Sequence, residues 1–195
     1  MLCAGGCAVS PQPELPTSEP ARSDLIKAAQ QLLVNRCLTA RGAVGPPPQE
    51  GALFGTDPAE LSVKLATGHT VRTHTDGCLA EAHRFLYGDQ ARWFRTEVTV
   101  NNLRAEAQAR LAEDPGYRAA LARRAACDDQ DAACIGASGL QELRDRLEPA
   151  RLAEVRTAHR ADIATYDQLR DRALHRAAQL LAAHPTPHAK GHDPS

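Results

Sequence analysis

PARLAEVRTAHRADIATYDQLRDRALHRAAQLLAA, residues 149–183, decides the fold class. Leu152, Val155, Ile163, Tyr166, Leu169, Leu174, Ala177 and Leu181 recur along one side of it, with Arg, Asp and Gln between them. That spacing is the 3.6-residue period of an amphipathic helix, not the alternation of a strand. At 1.5 Å per residue the run predicts a helix of about 50 Å. Glu148-Pro149 predicts a bend at its start, because proline lacks the amide proton and crowds the preceding turn.

The same period extends upstream. Ser138 opens a helix bearing Leu140, Leu143 and Leu147. Asp114-Pro115 caps a helix ending near Cys127, and the acidic turn Asp128-Asp129-Gln130-Asp131 parts it from Ala132-Ala133-Cys134. Residues 89–113 read as one helix, striped by Trp93, Val100, Leu103, Ala107 and Leu111. Within it Thr96–Val100 alternates and is β-branched, yet strong helix formers on both flanks predict helix. Thr75-Asp76 caps a helix carrying Cys78, Leu79, Ala82, Phe85 and Leu86, which Gly88 breaks. Asp57-Pro58 predicts a short helix with Leu61 and Leu65 on one side, stopped by Gly68, and residues 69–75 follow as a loop. Ser23-Asp24 opens the first helix, which carries Leu25, Ala29, Leu32, Leu33 and Cys37 and ends at Gly42. The expected fold is all-α: an irregular bundle of about six helices with a long C-terminal helix, braced by two disulfides. Three regions follow: 1–22 as signal remnant and Pro-rich tether, 23–183 as the helical domain, and 184–195 as a disordered His/Pro tail.

Composition agrees. Apolar residues are 43% of the 195 but aromatics only 4%, so the core is built from Leu, Val and Ala at close helix contacts. The net charge of −1 comes from interspersed signs, which argues against a nucleic-acid groove or a polybasic membrane patch. No run of 18 apolar residues is present to span a membrane.

Four of the six cysteines, Cys37, Cys78, Cys127 and Cys134, lie in the body of the chain. None forms Cys-x-x-Cys, which leaves a zinc ribbon or thioredoxin motif unsupported. An even, well-separated set fits two disulfides in an oxidising compartment; the alternative is four buried free thiols in the cytosol. Three pairings are open. Placement at helix ends favours Cys37 with Cys127 and Cys78 with Cys134, with Cys127–Cys134 as the local alternative. A 37–127 bridge would contribute about 4 kcal/mol on the chain-entropy account. A catalytic thiol lacks an assignable His or Asn partner.

The amino end, Met-Leu-Cys-Ala-Gly-Gly-Cys-Ala-Val-Ser, resembles the end of a bacterial lipoprotein signal, with Cys7 as the lipid-bearing residue. Pro11, Pro13, Pro16 and Pro20 then mark an extended tether. No charged or apolar signal region precedes Cys7, so this reading expects a start further upstream.

Several motifs in order resemble an actinobacterial family of exported, cysteine-paired helical proteins, known as hypothetical proteins or lipoproteins. They are Cys37-x-x-x-x-Gly42, then Leu65-Ala66-Thr67-Gly68 ahead of Gly77-Cys78-Leu79-Ala80-Glu81-Ala82, then Asp114-Pro115 with Cys127. Asp131-Ala132-Ala133-Cys134, Gly139-Leu140 and the long final helix complete the series. The likeness covers roughly residues 24–183. Arg123-Arg124-Ala125-Ala126 stands where the family often has Trp. The resemblance implies an exported helical domain and lends no activity.

Candidate chemistry is sparse. His69, His74 and His83 surround the segment before and after Cys78 and are the candidate metal ligands. His184, His188 and His192 recur every four residues, but Pro185, Pro187 and Gly191 prevent a shared helical face. Glu81, Asp89, Glu97 and Glu106 are spaced for surface pairs with Arg84, Arg92, Arg104 and Arg110. No G-x-S-x-G, H-E-x-x-H, G-x-G-x-x-G or phosphate loop occurs. The expected function is a non-catalytic exported module, lipid-anchored at Cys7, that binds a protein or small-molecule partner at the cell envelope. No cofactor and no nucleic acid are expected, and membrane contact comes only through the anchor. A metal-dependent or enzymatic protein using the loop histidines, and a cytosolic interaction protein with free thiols, are the alternatives.

Overall fold

The structure, a computed structural model, describes residues 14–43 and 50–184. It is predominantly helical, as expected, with one small antiparallel hairpin and two disulfides. The body expected as a single domain divides into two compact units. Of the described residues, one comprises those up to Thr56, Asp76–Gly88 and those from Arg170; the other comprises Asp57–Thr75 and Asp89–Leu169.

The first unit holds α1 (Glu19–Ala40), α2 (Glu50–Phe54), α3 (Gly77–Tyr87) and the second half of α9 (Arg160–Ala182). Helix α1 begins ahead of the expected Ser23-Asp24 cap, so the predicted tether ends earlier. Pro20 sits in its first turn, where a missing amide proton costs nothing, and Glu19 suits the positive helix end. Val34, Leu38, Ala43, Cys78 and Ala82 form the buried core, with Leu33, Leu53 and Leu79 packed against it. Gly77, at φ +85°, marks a close backbone approach: a Cβ there would lie 2.5 Å from the Gly55 amide nitrogen. Arginines of α9 cap α3. Arg172 donates to the Tyr87 carbonyl at 3.1 Å and Arg176 to the Phe85 carbonyl at 2.6 Å, satisfying carbonyls that a helix end leaves open. Nearer its middle, α9 meets α1 through Arg22–Asp171 at 2.5 Å and through Arg170, which engages Ser23 and Glu19.

The second unit holds β1 (Leu61–Lys64), β2 (Thr70–Thr73), α4 (Gln90–Asn101), α5 (Leu103–Glu113), α6 (Pro115–Ala125), α7 (Ala132–Ala137), α8 (Leu140–Ala158) and the start of α9. Three expectations are corrected here. Residues 57–68 are not a helix and 69–75 are not simply a loop: β1 pairs antiparallel with β2, Val63 opposite Val71. Leu61-Ser62-Val63-Lys64-Leu65 alternates, and the β-branched Thr70, Val71 and Thr73 answer it across the ladder. The Gly68 amide donates to the Leu65 carbonyl at 2.9 Å, and Gly68 takes φ +88°, so a turn closed by a left-handed glycine joins the strands. Residues 89–113 are two helices, because Asn102 intervenes. Its side-chain amide donates to the Val98 carbonyl at 2.7 Å and its own backbone amide turns to Thr99 at 3.1 Å. Finally, α8 runs through Pro149, and the break falls at His159.

Helices α5, α6 and α8 pack on one another, with Leu103, Ala107 and Val155 buried among Val100, Leu152 and Ile163. Asp114 caps α6 by accepting from the Tyr117 amide at 3.1 Å and holds Arg151 of α8 at 3.2 Å. Trp93 and Tyr166 stack with centroids 5.2 Å apart.

The disulfides are Cys37–Cys78 and Cys127–Cys134, with Cα separations of 5.5 and 5.7 Å. The expected pairing of Cys37 with Cys127 and Cys78 with Cys134 is overturned; the local alternative at Cys127–Cys134 is the one formed. Placement near a helix end does not choose a partner; the Cα separation does. Each bridge here stays within one unit.

Candidate functional site: a cleft at two helix breaks

Two of the corrected features, the hairpin turn and the Asn102 break, meet the His159 break in the second unit. Val63, Lys64, Leu65, Ala66 and Thr67 from the hairpin, Thr99, Asn102, Ala105 and Glu106 from α4–α5, and His159 line a cleft of about 60 Å³. Where a helix breaks, side chains leave the regular surface lattice, and polar groups from three elements converge.

The charges along the cleft form a chain. His159 Nε2 lies 2.9 Å from Glu106 Oε2, and Nδ1 lies 3.3 Å from Asp162 Oδ2. Both contacts are hydrogen bonds only when each ring nitrogen carries a proton, since carboxylates only accept. Arg110 donates to the other Glu106 oxygen at 2.6 Å, one turn along α5. Glu106 therefore has both oxygens occupied by cationic or donor groups and is mostly shielded from solvent. The Glu106–Arg110 pair is the one legible from spacing. His159 was not singled out, because one histidine in a long amphipathic run carries no motif.

The other expected acid–base candidates lie elsewhere. Glu81 holds Arg41 at 2.5 Å. Asp89 caps α4, accepting from the Arg92 amide at 2.9 Å. Glu97 is half-buried, and burial raises its carboxyl above the ordinary range. His69 is exposed beside the hairpin turn, its carbonyl accepting from the Leu65 amide at 2.8 Å. His74 donates from Nδ1 to the Asp57 carbonyl. His83 stands on α3 with its ring 5.7 Å from that of Tyr87, and burial lowers it from 6.5 to about 4. Among the described residues no group of three His, Cys, Asp or Glu side chains is placed to hold a metal ion, so His69, His74 and His83 are not a preformed ligand set. His184 meets the Leu180 carbonyl at 3.0 Å, while Cys7, His188 and His192 lie outside the described residues.

Family models, curated proteins and solved structures were each compared with the chain, and none matches. Among the described residues no helix is long and apolar enough to cross a membrane, and the two disulfides fit an oxidising setting.

Proposed function

We propose that this chain is an exported, non-catalytic binding module, held at the cell envelope through a lipid on Cys7 and related to the actinobacterial helical proteins it resembles. One observation carries the exported reading: all four body cysteines are paired within bonding distance. Reducing cytosol opposes such bonds and oxidising compartments preserve them. The cleft beside Lys64, Glu106 and His159 supports the binding reading, since it joins apolar walls to a few convergent polar groups.

Free thiols counted in the denatured, unreduced protein test the compartment. None is expected at positions 37, 78, 127 and 134 in protein from the envelope fraction. Four titratable thiols there would sink the exported reading. The anchor has its own test. Wild-type protein should enter the detergent phase and Cys7→Ser should not; equal partitioning of the two removes the lipid.

A further inference from the structure

We propose that the cleft of the second unit binds a short-chain carboxylate, with Lys64 as its charge partner. The inference rests on the binding reading above and names the ligand class.

The argument starts from charge. Glu106 is the carboxylate among the lining residues, and its two oxygens already face Arg110 and His159 at 2.6 and 2.9 Å. An incoming amine would have to displace one of them. Lys64, at the end of β1, lines the same cleft, and among the described residues no carboxylate pairs with it. The uncompensated charge at the cleft is therefore positive. Hydrogen-bond capacity agrees. Thr67 and Thr99 line the cleft, and among the described residues neither hydroxyl meets a protein partner. An ammonium and two hydroxyls suit a carboxylate's acceptor oxygens. The remaining walls, Val63, Leu65, Ala66 and Ala105, are apolar and suit a short alkyl chain. Size sets the limit. A cleft of about 60 Å³ suits a few heavy atoms, the size of a short-chain acid.

The test uses the full chain at constant ionic strength. Amide and imidazole chemical shifts are followed by NMR while butyrate, butyramide or butylammonium is added, with chloride as the reference anion. Butyrate is expected to give saturable shifts at residues 63–67, Thr99 and His159, and butyramide and butylammonium none there. Lys64→Gln should weaken butyrate about tenfold, equivalent to about 1.4 kcal/mol. Thr99→Val, which removes one hydroxyl and keeps the shape, should weaken it less. Lys64 is exposed, so its replacement leaves the fold intact, and unchanged shifts elsewhere verify this. If butylammonium or butyramide binds in the cleft and butyrate does not, the carboxylate assignment falls and the binding reading stands. If none of the three perturbs the cleft, the assignment and this cleft's binding role fall together. Equal butyrate affinity in Lys64→Gln overturns the role of Lys64 and with it the proposal.

Discussion

The two units use a disulfide in different ways. In the first, Cys78 is fully buried in the core beside Val34 and Leu38, and the bridge from Cys37 ties α1 to α3. In the second, Cys127 and Cys134 are only half-buried, and their bridge spans an exposed acidic turn between α6 and α7, apart from the core of Leu103, Ala107 and Val155. A bridge inside a core is both a covalent tie and part of the packing. A bridge at the edge is a staple on a turn: α6 packs on α5 and α8 through other residues, while α7 buries none of its own. The unit with the peripheral bridge also carries the cleft, so its polar convergence depends on Asn102 and His159 and not on a disulfide.

The largest expected effect comes from breaking the core bridge. Its cysteines are 41 residues apart against 7 for the other. Loop-closure entropy alone gives about 4 kcal/mol for the first and about 2.5 kcal/mol for the second. Replacing Cys37 and Cys78 by serine also buries a hydroxyl in an apolar core, which adds to the loss. Urea unfolding of the two double variants should therefore rank Cys37/Cys78 well below Cys127/Cys134. Graded reductant followed by thiol labelling and mass spectrometry should release Cys127 and Cys134 first. Release of Cys37 and Cys78 at the same reductant concentration would erase the distinction.

Gly77→Ala probes the same unit without touching sulfur. The residue lies at φ +85°, and the new Cβ meets backbone of residues 53–55, which has no flexible end to yield. Left-handed strain and overpacking together suggest a loss of about 3 kcal/mol. Gly68→Ala in the second unit is the control: at φ +88° it carries the strain, but nothing lies within 4 Å of its Cβ, so about 1 kcal/mol is expected. Equal losses would show that the close approach at Gly77 is not what matters.

How much of this was legible depends on whether the signal is local. That α1, α3 and α8 are helices is read directly from the 3.6-residue apolar spacing, but the buried face is not. Helix α1 buries Ile26, Ala29, Val34 and Leu38 while Leu25, Leu32, Leu33 and Cys37 stay half-buried, α3 leaves Phe85 exposed, and α8 buries Val155. The Asp114 cap is equally local. The hairpin was missed because Leu61 and Leu65 satisfy a helix as well as a strand, and Asp57-Pro58 mimics a helix start; only the pairing of Val63 with Val71 decides. The helix breaks were missed because the apolar stripe passes through both Asn102 and His159, and the interruption is a matter of which carbonyl a side chain reaches. Pro149 misled for the converse reason: one missing hydrogen bond does not end a helix whose faces are packed on α5 and α6. The cleft joins residues 63–67, 99–106 and 159, a juxtaposition with no local spacing to read. The disulfide partners are non-local in the same sense.

Acid separates the units by a different lever. Burial lowers His83 of the first unit from 6.5 to about 4. Above pH 6.5 the ring is neutral whether folded or unfolded and contributes nothing. Between 6.5 and about 4 the unfolded chain takes a proton that the folded one refuses, so stability falls with pH and then levels off. The full drop is about 3 kcal/mol. Urea midpoints measured from pH 7 to 4 should fall more steeply for the wild type than for His83→Leu. Parallel curves would mean that the ring accepts its proton while folded.

Glu97 of the second unit should work the opposite way. Burial raises its carboxyl, and it is the less buried of the two groups, so the effect is the smaller one. A folded-state value above the unfolded one gives stability that is complete below the unfolded value of about 4.5 and lost as pH rises through the folded value. At neutral pH the charged carboxylate is therefore a cost of folding. Glu97→Gln, which keeps the shape and removes the charge, should stabilise the protein at pH 7, and the gain should vanish near pH 4. A Gln variant weaker than wild type at pH 7 would mean that the carboxylate has a cationic partner. Falling pH would then weaken both units, and the contrast in how they bury ionisable groups would be lost.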